Sequence, residues 1–196
     1  KTADTIAPNL RTSIISDPSN GRLPEGTADA LAKLAAYRDW REEHQWDSAK
    51  TRGLSERCLI WGQEGPPILP LGYNSTYQFM QTEDYVILQL EMIHDVRIIP
   101  LDGGNPAENS LPQWLGNSRG HWEGDTLVVD SVSFNEKTWI DYNGHPKTGQ
   151  LHTVEYFSRP FREVLHYEAV IDDPGAYSEP WRVGWDINWT EGQELQ

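Results

Sequence analysis

The sequence is short of cysteine, of positive charge and of long apolar runs, and each shortage excludes a class of protein. Its 196 residues contain one cysteine, Cys58, so a small scaffold held by internal disulfides is excluded. The 16 Lys and Arg are outnumbered by 30 Asp and Glu, which gives a formal net charge of −14. That charge repels nucleic acids and anionic membrane surfaces, so neither is an expected partner.

Membrane spans and the common catalytic signatures are missing as well. No apolar run approaches the length of about 18 residues that a spanning helix needs. The chain contains no G-x-S-x-G, P-loop, G-x-G-x-x-G or H-E-x-x-H pattern, which excludes the usual signatures of hydrolase, nucleotide and zincin sites. It begins at Lys1 without a signal-like apolar segment, as a processed mature chain or a trimmed one does.

Aromatic residues, in contrast, are plentiful. Nine Trp and eight Tyr accompany a hydrophobic content of only 37%. Large amphipathic rings can form a core with few aliphatic residues, and they also line ligand sites. The length suits one domain, or one domain with an arm. Cys58 in this setting is predicted to be a small buried residue and not a catalytic thiol, because no histidine lies near it in the sequence.

The first 76 residues differ from the rest of the chain. They contain one predicted helix over about residues 27–46, with Thr27 as its N-cap and with Leu31 and Leu34 at helical spacing. Residues 62–72 follow with three prolines, which disfavour regular backbone pairing. We therefore divide the chain into an N-terminal arm, residues 1–76, and a β domain, residues 77–196.

The β domain alternates strand-like runs with turn residues. Residues 82–84 separate two runs as a hairpin turn would, and Asp-Gly-Gly closes a later run. At least six short strands in sequential order predict an antiparallel meander. The predicted fold is mainly β, either a lipocalin-like (calycin) barrel or a sandwich. The predicted strands lie within residues 77–92, 94–104, 125–134, 151–160, 163–175 and 181–190.

One stretch, "GHWEGDTLVVD", places His121, Trp122 and two carboxylates just before a β-branched run. A three-residue loop centred on Gly124 is ordinary hairpin chemistry, so Glu123 and Asp125 are interpreted as turn residues that face water. Side chains alternate along a strand, so His121 and Trp122 are predicted to face opposite ways. We expect His121 to lie near a functional site.

The histidines raise the question of a metal site. Side chains from separate strands could converge on Zn, Cu or Fe, but no two histidines have a tight ligand spacing. His152 and Glu155 resemble an H-x-x-E pair, yet an offset of three on a strand sends them to opposite faces. We predict no cofactor and retain a metal ion only as an alternative. The histidines of the β region are His94, His121, His145, His152 and His166.

Arg97 has two interpretations. It could form a cross-strand ion pair with Glu91 or Glu155, a common way to stabilise a sheet, or it could anchor a carboxylate or carbonyl of a ligand. The preceding strand alternates an apolar face, which includes Val86 and Leu88, with a mixed one. Residues 96 and 98 are predicted to continue an apolar face in the next strand.

Six segments together resemble a large group of uncharacterised secreted bacterial proteins found in acidobacterial and proteobacterial genomes. They are "SNGRLP", "SERCLIWG", "HDVRIIPLDG", "GHWEGDTLVVDSVSFNEKTWID", "LHTVEYFSRP" and "IDDPGAYSEPW". The resemblance runs from about residue 14 to the end of the chain. It implies a secreted or periplasmic protein with a mainly β fold, and it brings no activity. It also implies that a Cys-containing segment follows residue 196, with a disulfide partner for Cys58.

The leading functional hypothesis is an exported β protein that binds a small, neutral or cationic organic molecule in an aromatic-lined pocket. If the protein is an enzyme, a histidine–carboxylate pair could serve a cofactor-independent lyase, isomerase or hydrolase. In that case His121 or His152 is the candidate base, and Glu91 or Glu155 orients it. The candidate ligand-binding residues are His94, Arg97, Trp122 and Trp139.

Two alternatives come from other classes of protein. A carbohydrate-binding module would stack exposed rings on sugar faces, and Trp114, Trp122 and Trp139 are the candidates for such a platform. A structural or assembly subunit would pair its N-terminal arm with an open sheet edge of a neighbour, which would make a homo-oligomer.

Overall fold

The computed structural model describes residues 12–62, 65–70, 72–106 and 111–192. Within these ranges the protein is mainly β, with two antiparallel sheets and one α-helix. Short 3-10 turns lie at Ala49–Thr51 and Met92–His94. The regular elements are β1 (Ile15–Asp17), α1 (Ala28–His44), β2 (Tyr77–Gln81), β3 (Tyr85–Leu90), β4 (Val96–Pro100), β5 (Asn117–Glu123), β6 (Thr126–Val132), β7 (His152–Phe161), β8 (Val164–Asp172) and β9 (Trp181–Asn188).

Strands β2 to β9 follow one meander that is interrupted between β4 and β5, whereas β1 pairs with β9 at the far edge. The larger sheet has the order β1-β9-β8-β7-β6-β5, and the smaller has the order β2-β3-β4. Strand β4 lies beside β5 without a continuous ladder, and Arg119 of β5 reaches Asp102 just past β4 at 3.7 Å. The described strands therefore form two open sheets with free edges, and the closure expected of a lipocalin-like barrel is not seen among them.

The two sheets share one core. Leu88 and Ile99 of the small sheet belong to the same buried cluster as Val129, Phe157 and Val183 of the large one. The inward side chains alternate with outward ones along β7 and β8, as an antiparallel sheet with one buried face requires.

The apolar face predicted for β3 is confirmed, because Val86 and Leu88 are buried. The prediction for β4 is wrong: Ile98 is 60% exposed, and Arg97 is buried instead. The register explains the difference, since Leu88 pairs with Arg97 and paired residues share a face.

The predicted helix is present, and it begins where the cap residue placed it. The Thr27 hydroxyl accepts a hydrogen bond from the backbone N–H of Ala30 at 3.2 Å and donates one to the carbonyl of Gly175 at 2.7 Å. Leu31 is nonetheless exposed, because α1 lies on the surface and buries only Ala30. No helix in the described ranges is both long and apolar enough to cross a membrane.

The N-terminal arm contributes directly to the fold. Strand β1 pairs with β9 of its own chain, and Ile68 and Leu69 belong to the shared core. Cys58 is exposed in a turn with a φ of 51°, so the prediction that it is buried is wrong. The physical reason is that the surrounding residues form successive turns at the surface, which bury no side chain at this position.

The hairpin predicted in "GHWEGDTLVVD" is confirmed with a shorter loop. Glu123 pairs with Thr126, so only Gly124 and Asp125 lie in the loop, and not the three residues expected. Gly124 has a φ of 61°, a conformation that glycine adopts without strain and that two-residue hairpin loops require at their first position.

Candidate functional site

A row of large side chains crosses the inner face of the large sheet. The registers of four successive ladders align Trp122, Leu127, Phe157, Tyr167 and Trp185 on strands β5 to β9. The Phe157 and Tyr167 ring centroids are 5.1 Å apart, and those of Tyr167 and Trp185 are 6.4 Å apart. Both separations lie within the range that favours aromatic contact.

The floor of an open cleft of about 960 Å³ is formed by four members of this aromatic row, Trp122, Leu127, Phe157 and Trp185, whereas Tyr167 is fully buried. The β2 strand lies across the floor, and the Phe79 ring packs edge-on against Phe157 at 5.8 Å. Trp122 is 45% exposed at the mouth of the cleft although it points inward. The lining also carries Ser, Thr, Gln and Asn side chains and charged ones, among them Asp125 and Arg159, which are exposed. The arrangement combines apolar rings with polar groups that could orient a ligand.

A second part of the inner face is closed and polar. Arg97 donates to both oxygens of Glu155, at 3.2 and 2.6 Å, and to the hydroxyl of Ser118 at 3.2 Å. The Ser118 hydroxyl in turn shares a 2.8 Å hydrogen bond with Ser131. Tyr167 donates to Glu155 at 2.9 Å and accepts from the backbone N–H of Ile68 at 2.8 Å. Burial, reinforced by the nearby Glu155 carboxylate, holds the pKa of Tyr167 well above its usual value, so it is a neutral hydroxyl.

The structure places Arg97 in an ion pair with Glu155, one of the two partners considered from the sequence. The pair joins the two sheets, however, and is not formed between neighbouring strands of one sheet. Glu91, the other considered partner, is buried elsewhere and accepts a hydrogen bond from the backbone N–H of Thr76 at 3.1 Å. The two terminal nitrogens of Arg97, which could have met a ligand carboxylate, donate to protein groups instead, and its buried Nε has no hydrogen-bond partner among the described residues.

The histidines do not converge. His121 faces outward and contacts Glu123 at 3.0 Å, and His152 contacts Asp130 at 3.0 Å on the same outer side. His94 is exposed in the turn after β3. No histidine belongs to the described lining of the cleft. Within the described ranges, no three His, Cys, Asp or Glu side chains lie close enough together to hold a metal ion.

Two further histidine–carboxylate pairs lie away from the cleft floor, although Asp186 of one pair reaches the cleft rim. His166 contacts Asp186 at 2.6 Å, and His145 contacts Asp141 at 2.6 Å. Burial raises the pKa of Asp141, but hydrogen bonds from the ring and the backbone N–H of His145 outweigh it and hold that pKa below its usual value. The same contact raises the pKa of His145. Both pairs are accessible to solvent, and they share no common centre.

The tryptophans proposed for a sugar platform are separated. Trp122 lies in the cleft, whereas Trp139 packs against Tyr37 of α1 with ring centroids 4.9 Å apart. Trp114 and Trp139 line a separate pocket with room for about 10 Å³, beside Lys147. The three rings therefore do not form one platform.

Lys147 is a half-buried cation that the sequence did not indicate. Its ammonium nitrogen lies 5.2 Å from the centre of the Phe134 ring, and no carboxylate in the described ranges forms an ion pair with it. Burial lowers the pKa of Lys147 to about 8, against the opposing attraction of Asp173.

Phe79, Phe157 and Trp185 were also missed as site residues. Alternation was the signal that could have found Trp185, because "WRVGWDINW" places it and Ile187 on one face with Asp186 and Asn188 on the other.

Comparisons with protein-family models, with curated proteins and with solved structures find no match for this chain. The geometry of the cleft is therefore the basis for assigning a function to this protein.

Proposed function

We propose that this protein binds a small organic molecule in the cleft between its two sheets. The observation that carries the proposal is the aromatic row, whose outer member Trp122 stays half-exposed in a concave site of about 960 Å³. In the free protein such a ring remains in contact with water. A flat apolar ligand that stacks on the ring would remove this apolar surface from water, which favours binding.

The charge around the cleft favours a neutral or cationic ligand. Asp125 and Asp186 lie at its rim, and the chain carries a net charge of −14. The exposed cation at the rim, Arg159, is placed over the ring of Trp189, 5.4 Å from its centre. An anionic ligand would meet repulsion from the whole protein with little local compensation.

Binding is better supported than catalysis. The candidate bases His121 and His152 face away from the cleft, and Glu91 and Glu155 are each engaged elsewhere. A proton-transfer residue must lie within hydrogen-bond reach of the reacting group. We also propose that the protein is exported to the periplasm or beyond. Its meander would hold the ligand as a lipocalin-like barrel does, but without closing around it.

The experiment uses the neutral fluorescent dye Nile red and two matched tryptophan variants. Trp122→Ala removes the ring at the cleft mouth, and Trp40→Ala removes a ring of similar exposure, 43%, on α1. We expect saturable dye binding that weakens about tenfold in Trp122→Ala, since a stacked aromatic contact contributes about 1.4 kcal/mol with its buried area. Trp40→Ala should bind as the wild type does. Equal affinity in all three proteins would contradict the proposal.

A further inference from the structure

The edge of β2 that faces the cleft has free backbone groups. The N–H of Thr82 donates to the carbonyl of Tyr85, and the N–H of Glu91 donates to that of Thr76, so even-numbered residues of this strand bond to β3. Hydrogen-bonded and open positions alternate along an antiparallel pair. Phe79 and Gln81 therefore direct their N–H and carbonyl groups away from β3, and no residue of the described ranges pairs with them.

The cleft lining confirms this orientation of β2. Every residue from 75 to 81 lines the cleft, inward and outward side chains alike. Side chains alternate between faces, so an uninterrupted run of lining residues means that a strand presents its backbone edge to the cleft.

Strand β9 presents a second open edge on the opposite wall. The N–H of Trp189 donates to the carbonyl of Glu163 on the β8 side, whereas the N–H of Gly184 donates to Ile14 on the β1 side. Strand β1 is short and pairs only near Arg182 and Val183. Residues 185–190, beyond the end of β1, line the cleft without interruption.

The β2 edge also lacks the usual protection against strand addition. Exposed edges in native proteins are commonly blocked by lysine, proline or an inward charge. The β2 sequence, YQFMQ, has no charged residue and no proline. An unprotected edge that opens into a concave aromatic site, and not onto a flat surface, is suited to a specific partner.

We propose that the cleft receives an extended peptide segment of a partner protein, which adds a strand to the β2 edge. This inference rests on the proposed function, because the peptide would use the same aromatic floor. Its backbone would pair with Phe79 and Gln81, and every second side chain would point at the rings of Phe157 and Trp185. The segment would be about five residues long, to match β2, at about 3.3 Å per residue. It would be apolar at alternate positions and would contain no acidic residues, in keeping with Asp125 and Asp186 at the rim.

The test uses the full chain and a capped, fluorescently labelled peptide that alternates Val with Thr and ends in Lys. Two further peptides carry N-methyl groups on alternate amides, one on each edge of the strand. We expect anisotropy to report saturable binding, and at least one methylated peptide to bind tenfold or more weakly, about the loss expected when several backbone hydrogen bonds are blocked. Equal binding of all three peptides would overturn the proposal.

A matched pair of variants tests the edge itself. Gln81→Pro removes the N–H that points into the cleft and leaves the bonds to β3 intact, whereas Gln81→Ala keeps that N–H. The proline variant should bind the unmethylated peptide at least about fivefold more weakly than the alanine variant, because one backbone hydrogen bond contributes about 1 kcal/mol. Matching far-ultraviolet circular dichroism spectra of the two variants would show that both fold alike.

Three results would overturn the inference in distinguishable ways. If Nile red binds and no peptide does, the proposed function stands and the strand-addition inference falls. If neither binds, both fall. If light scattering shows a dimer that Gln81→Pro abolishes, the occupant of the edge is a second copy of this chain, and the partner peptide is rejected.

Discussion

The inner face of the large sheet has a sealed end and a cleft end. Polar groups are bonded to one another at the sealed end and are left open at the cleft end. At the sealed end, Arg97, Glu155 and Ser118 are buried and bond to one another. At the cleft end, only two residues further along β7, the buried ring of Phe157 lies at the base of an open cleft, and β2 leaves the backbone groups of Phe79 and Gln81 unpaired within the described ranges. A buried charge is tolerated only where an opposite charge or hydrogen bonds compensate it. At the open end of the inner face, a ligand would have to supply the missing contacts. The sealed end is therefore structural, and the cleft end is the one suited to binding.

Breaking the sealed end should have the largest effect. Arg97→Met leaves Glu155 buried with only the Tyr167 hydroxyl as a hydrogen-bond donor, and it should lower the free energy of unfolding by about 3–5 kcal/mol, measured by urea denaturation. The double variant Arg97→Met, Glu155→Leu removes both charges and should recover most of that loss. A loss below about 1 kcal/mol in the single variant would show that the pair is not a structural element.

Lys147 tests whether a half-buried charge without an ion-pair partner destabilises the folded state. Its pKa falls from 10.5 to about 8 on folding, so the unfolded chain binds more protons between these values and the folded state gains stability as pH rises through them. Lys147→Met should therefore unfold at higher urea than the wild type near pH 7, by up to about 3 kcal/mol at about 1.4 kcal/mol per pKa unit. The advantage should shrink as the pH approaches about 10, where the lysine is neutral in the folded protein. A constant difference across that range would contradict the assignment.

The smallest stability effect is expected at the cleft mouth. Trp122→Ala should cost less than about 1 kcal/mol of unfolding free energy, because its ring is already half-exposed, whereas Phe157→Ala, which empties a buried site, should cost about 3–5 kcal/mol. Denaturation of the two variants side by side is the measurement. A large loss in Trp122→Ala would mean that this ring serves the core and not a ligand.

Local patterns predicted the elements well, since each depends on residues close in sequence. The helix after Thr27, the hairpin at residues 82–84 and the opposite faces of His121 and Trp122 follow from capping, turn chemistry and strand alternation. The face of β4 was predicted incorrectly because hydrophobicity favours a buried Ile98. The inward Arg97 is tolerated because it forms an ion pair with the buried Glu155 of the other sheet. No local sequence pattern indicates that partner.

By itself, the sequence determined the class of this protein: a mainly β chain, rich in aromatic rings, strongly acidic, with alternating strands in meander order. Those properties depend on composition and on residues a few positions apart. Only the tertiary structure decided that Trp122 and not His121 faces the interior, that Arg97 and Glu155 neutralise each other across two sheets, and that β2 and β9 leave a gap between them. The register of strands far apart in the chain sets these outcomes, and a shift of one residue would reverse every face.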